Sequence, residues 1–147
     1  MSGFRLSRKL YYIISFTWGL PMSLLGAIVA AILLVTGHKP KQNIYGWYFE
    51  LGEDWGGISF GFISVLAKNP TYHLLQHEFG HSIQNCIFGI FFIPFVAIPS
   101  MIRYWYRRYL NEVKKVSYLD LPYYDYAWFE GMATMFGERY TELGEIK

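Results

Sequence analysis

Charge is scarce in this chain. Charged residues fill 16% of its 147 positions, against roughly 25% in an average soluble domain. Cysteine is nearly absent: a lone Cys86 excludes an intramolecular disulfide framework and leaves the redox compartment open. There is no internal repeat and no low-complexity tract. No nucleic-acid recognition module is visible, and the basic residues sit beside apolar stretches, which excludes nucleic acid as the expected partner. Basic side chains are also missing from most of the middle: between Gln42 and Ile102 the only Lys or Arg is Lys68.

What is abundant is apolar and aromatic. Hydrophobic residues make up 53% and aromatics 20%, with thirteen Tyr, twelve Phe and five Trp. So many large apolar groups exceed what a soluble core of this length can hide. A lipid bilayer solvates them directly and gives Tyr and Trp a place at headgroup level. The lipid bilayer is therefore the first expected partner. Leu10–Val35 carries no charged residue over 26 positions, and about 20 helical residues span the hydrocarbon core. The sequence predicts one N-terminal transmembrane helix over 10–36, kinked at Gly19 and Pro21. The run is too long for the apolar region of a signal peptide, and no clear A-x-A site ends it.

A polar break, Thr36–Gln42, follows. Asn43–Gly57 is aromatic and acidic and reads as an interfacial belt, with Glu50, Glu53 and Asp54 solvated. Ile58–Ala67 reads as a short strand. Asn69 as cap and Pro70 at the first helical position start a helix running to about Phe88. Ile87–Ile102, interrupted by Gly89, Pro94 and Pro99, is a second, broken apolar segment, either a tilted span or re-entrant. Arg103–Val116 is basic, aromatic and helical in pattern, with its cations expected to reach headgroups. Ser117–Asp125 reads as a turn, and Tyr126 to about Leu143 as a final helix. Positive-inside bias from Arg5, Arg8 and Lys9, and from Arg103 onward, puts both basic ends in the cytoplasm.

The chemistry is concentrated in His77-Glu78-Phe79-Gly80-His81. Positions i and i+4 share a helix face, so the imidazoles of His77 and His81 can converge on one ion. Glu78 projects from the flank, where its carboxylate can act as a general base. This is the H-E-x-x-H arrangement of zinc hydrolases, and Zn2+ is the expected cofactor. His73, Gln84 and Asn85 fall on the same polar stripe; Cys86 falls on the opposite, packing face. A catalytic zinc needs a third protein ligand. Glu130, set among apolar neighbours in Trp128–Thr134, is the leading candidate, with Asp120, Asp125, Glu138 and Glu142 competing. Among the tyrosines, Tyr123, Tyr124 and Tyr126 are candidate oxyanion donors.

On these residues the chain resembles gluzincin-type zinc metallopeptidases: His77-Glu78-x-x-His81, then a downstream helical Glu130 with Ala133 three residues on. It looks most like small bacterial integral membrane proteins with H-E-x-G-H-x-x-Q, here His77 to Gln84, followed by an apolar stretch ending in Ile98-Pro99-Ser100. The resemblance covers about Gly56 to Gly137. It implies a zincin-like core over 56–137, peptide-bond hydrolysis of a peptide or membrane-protein substrate, and a location in the bacterial inner membrane. It also implies that Ile58–Ala67 holds substrate by strand addition. One position departs from the pattern: Thr134 stands where gluzincins commonly place an Asp that steadies a ligand histidine. The expectation is thus a mainly α membrane protein, 1–147 forming one membrane-embedded domain. Its metal ligands are His77, His81 and Glu130, and Glu78 is the catalytic base. Two other classes stay open: a zinc-binding but inactive membrane scaffold, which Thr134 favours, and an interaction protein without metal.

Overall fold

The computed structural model describes residues 6–142. Arg5, at the start of the first basic cluster, and Leu143, at the expected end of the last helix, lie outside them. The fold is mostly helical with one small sheet. The segment expected to be a single transmembrane helix is two helices, α1 (Arg8–Ser15) and α2 (Leu20–Val35), bent by 96° at the break between them. Among the described residues no single helix is long and apolar enough to cross a membrane; α1 and α2 together have the length and composition. The bend falls where Gly19 and Pro21 stand, with Gly19 at the N-cap of α2. It is pinned from α3, introduced below: Asn85 Nδ2 donates to Gly19 O at 3.2 Å and to Ser23 Oγ at 3.3 Å. A side chain at position 19 would sit 2.6 Å from that amide, so glycine is required there by space.

The stretch expected to be an interfacial belt forms strands. β1 (Lys41–Asn43) and β2 (Gly46–Glu50) make an antiparallel hairpin across Ile44-Tyr45, with Ile44 at a φ of 52°. Ile58–Ala67 is also a hairpin rather than one strand. β3 (Gly57–Phe60) and β4 (Ile63–Leu66) pair antiparallel, and Gly61, at a φ of 67°, makes the turn. An unbroken β-branched and aromatic run hides such a turn, because glycine alone marks the reversal. The sheet order is β1-β2-β4-β3, with β2 and β4 parallel. All of β4 is buried, and β3 is left as an edge strand.

α2 covers the sheet. Gly26 lets it approach so closely that a Cβ there would meet Phe60 O at 2.2 Å, and Leu33 packs with Phe49, Ile63 and Val65. α3 (Tyr72–Phe88) is the central helix. Its cap is Thr71, whose hydroxyl accepts from Leu74 N at 3.1 Å, in place of the expected Asn69. Asn69 instead takes a left-handed turn with a φ of 56°. After α3 the chain passes through a 3-10 turn at Gly89–Phe91 and a π-helical turn at Ile93–Ala97 into α4 (Ile98–Glu112). The broken character expected of Ile87–Ile102 is therefore real. Two 3-10 turns lead to α5 (Trp128–Glu142).

α3 and α5 form the tightest helix pair. A Cβ at Gly80 would lie 1.7 Å from Ala133 O, and one at Gly137 would lie 1.9 Å from Gln76 O. At two points the backbones meet with no side chain between them. The core beneath this crossing gathers Tyr11, Tyr45, Phe79, Ile83, Cys86 and Tyr140. Many large apolar residues nevertheless face outward: Ile28 and Ile32 on α2, and Phe95, Ile102 and Trp105 along the segment into α4, are each half exposed or more.

Candidate metal centre

His77 and His81 sit one turn apart on the buried side of α3, with ring centroids 4.8 Å apart. Glu130, in the first turn of α5 and fully buried, reaches both of them across the glycine contact. Its Oε2 is 2.9 Å from His77 Nε2 and 3.3 Å from His81 Nε2. One nitrogen from each histidine and one oxygen of Glu130 all lie within 4.8 Å of one another, so this buried cluster can hold a metal ion. Two donors on a tetrahedral ion with bonds of about 2.0–2.1 Å stand about 3.3 Å apart, close to the two His–Glu separations.

The outer nitrogens are already committed. His81 Nδ1 donates to Gln84 Oε1 at 2.7 Å, and Gln84 Nε2 donates to Phe129 O at 2.7 Å, which fixes the amide's orientation. His77 Nδ1 lies 2.9 Å from Thr134 Oγ1. Ligation through the Nε2 lone pairs would require the proton at Nδ1 in each ring, the position that Thr134 and Gln84 face. Thr134 therefore occupies the place of the expected Asp and supplies the hydrogen bond without the charge. Glu130 Oε1 accepts from Ser100 Oγ on α4. Burial pushes the Glu130 carboxyl up, but hydrogen bonds from His77 and His81 outweigh it and hold it well below the usual range. For His81 burial acts downward, and the bond to Glu130 reverses the direction, raising it.

Glu78 is buried beside the cluster, and its Oε2 has no hydrogen-bond partner. Burial raises its carboxyl above the usual range, partly offset by His81 and His77. It lies where two cavities meet. One, of about 370 Å³, runs between α2, β3 and α4; the other, of about 340 Å³, lies beside the start of α3 and the 118–125 loop. The β3 edge borders both, since Gly57 lines each.

Of the three candidate tyrosines, Tyr124 faces the site. It lines both cavities, and its ring lies 5.9 Å from that of His77. Burial raises its hydroxyl, which keeps it a proton donor. Tyr123 and Tyr126 are 60% and 79% exposed. The basic face of α4 was expected to reach headgroups. Instead Arg103 donates to the carbonyls of Tyr123 and Tyr124 at 3.0 and 3.2 Å, and Arg107 donates to that of Pro122. Both guanidinium groups stack on the Tyr124 ring. Ser100, Arg103 and Arg107 recur at i, i+3 and i+7, so one stripe of α4 serves the site. That spacing is legible in the sequence, but apolar neighbours give it the same pattern as a helix at the lipid interface.

The competing ligands stay apart. Asp120 and Glu138 are exposed, Asp125 lines the second cavity without joining the cluster, and the Glu142 side chain lies outside the described residues. His73 is exposed at the start of α3. Asn85 serves the bend before α2, and Cys86 packs against Ser15 and Tyr11. No protein-family model, curated protein or solved structure matches the chain.

Proposed function

We propose that this protein is a zinc metallopeptidase seated in a lipid bilayer. The observation that carries the reading is the unpartnered Glu78 carboxylate oxygen beside a buried His77–His81–Glu130 triangle, in a cleft bordered by a free strand edge. Two imidazoles and one carboxylate are a donor set suited to zinc. When bound, zinc supplies a Lewis acid that brings the pKa of water from ~15.7 toward ~7 and polarises a carbonyl.

The chain's own groups do the rest. The β3 edge aligns an extended peptide by strand addition. Glu78 takes the proton of the attacking water as its oxygen bonds to the peptide carbon. The Tyr124 hydroxyl donates a hydrogen bond to the oxyanion that develops there. Glu78 then delivers its proton to the leaving nitrogen as the C–N bond breaks, giving a carboxylate and an amine. The half-exposed apolar faces of α2 and of the segment into α4 support bilayer contact.

The test is metal content and peptide cleavage by detergent-purified wild type, Glu78→Gln and Glu130→Ala. Wild type is expected to carry one zinc and to cleave. Glu78→Gln should keep the zinc and lose cleavage, and Glu130→Ala should lose both. Undiminished cleavage by Glu78→Gln would remove Glu78 from the chemistry. Full zinc retention by Glu130→Ala would remove Glu130 from the site.

A further inference from the structure

The two cavities flanking Glu78 are both largely apolar, but only the second carries charged side chains away from their junction. They share Gly57, Glu78, Tyr104 and Tyr124, so they meet at the candidate reaction centre. Away from that junction the first is walled by apolar side chains such as Met22, Phe92, Val96 and Ala97. Its outer rim is apolar too: Leu25, Ile98, Met101 and Trp105 are each more than 40% exposed. A polar side chain entering there would leave water and find few partners. The second cavity presents His73, Arg107 and Asp125 among tyrosines. β3 links them: Gly57 borders both, and Ile58, Ser59 and Phe60 continue into the apolar one.

We propose that the cleft takes an extended polypeptide across a boundary between an apolar and a polar segment. The apolar side lies in the cavity between α2 and α4, the polar side lies beside α3, and the junction sits at Glu78. This rests on the peptidase reading given above and names its substrate class. The same helices that wall the apolar cavity carry the exposed apolar faces, so such a segment passes into the cleft from the surface that meets lipid. The matching substrate is the edge of a membrane-inserted segment rather than a soluble, uniformly polar peptide.

Binding and cleavage can be read separately. Zinc-loaded, full-length Glu78→Gln in detergent would be titrated with three fluorescent peptides of equal length: apolar then polar, polar then apolar, and wholly polar. At least one two-part peptide should bind about tenfold or more tighter than the wholly polar one. Ala97→Lys, and Ala97→Phe as a variant that only fills the cavity, should abolish that preference with metal content unchanged. Equal binding of all three peptides, or a preference that survives both Ala97 variants, overturns the proposal. Mass spectrometry of wild-type digests should place the cut at the apolar–polar junction; scattered cuts overturn it. Preferential binding with no cut by zinc-loaded wild type would sink the peptidase reading while upholding the cleft's selectivity.

Discussion

Thr134 Oγ1 stands 2.9 Å from His77 Nδ1, one helical turn beyond Glu130 on α5. One helix thus contributes a candidate ligand and the group that orients another. Replacing Thr134 with Val keeps the shape and removes the hydrogen bond. Metal affinity should fall about 10–100-fold, measured by competition with a chelator, and Thr134→Ser should restore most of it. Unchanged affinity in Thr134→Val would mean that the ring is oriented by packing alone.

Gly80 holds the two helices at the distance the site needs. Gly80→Ala would drive a methyl group into Ala133 O, which lies 1.7 Å from the Cβ position. Helix separation must grow, carrying Glu130 away from His77. A stability loss of about 1–3 kcal/mol is expected, together with loss of bound metal, by thermal unfolding and metal analysis. Gly56→Ala is the contrast: there a Cβ meets only the Tyr104 ring, at 3.5 Å, and stability should hold.

Tyr124→Phe tests the oxyanion role. The ring and its stacking against Arg103 and Arg107 survive, and the hydroxyl is lost together with its hydrogen bonds to Ser100 and Glu130. kcat should drop about 10²–10³-fold with KM little changed. Tyr126→Phe, at a largely exposed position, should behave as wild type. Equal activity in the two variants would exclude Tyr124 as donor.

Cys86 should be inert in the folded protein. Burial pushes its thiol up to about 11, with a smaller opposing effect from Ser15. Because the folded-state value is raised, the stabilising contribution is complete below the unfolded value of about 8.5. It is lost as the pH rises toward 11. At pH 8 an alkylating reagent should label Cys86 only after denaturant is added. Rapid labelling of the native protein would show that the α1–α3 contact opens readily.

Much of the site follows from local rules in the chain. Helical periodicity places His77 and His81 on one face whatever the rest of the chain does. Glu130 stands out because a carboxylate among apolar neighbours must find a partner. The kink at Gly19 and Pro21 and the breaks around Gly89 and Pro94 follow from backbone chemistry that is local. Local rules were less decisive at the cap of α3, where Asn69 and Thr71 are both good capping residues and only the backbone path selects Thr71.

The rest depends on contacts between distant segments, which no local rule reaches. Apolar residues in strands and in lipid-facing helices look alike, so β1, β2 and the β3–β4 reversal were hidden in aromatic and β-branched runs. Arg103 and Arg107 carry no local sign that their partners are carbonyls of the 122–124 loop. The meeting of Gly80 with Ala133, and of Thr134 with His77, needs a particular helix crossing. Each candidate ligand is legible in the sequence on its own. Bringing them within hydrogen-bonding distance required two helices whose backbones touch at glycine.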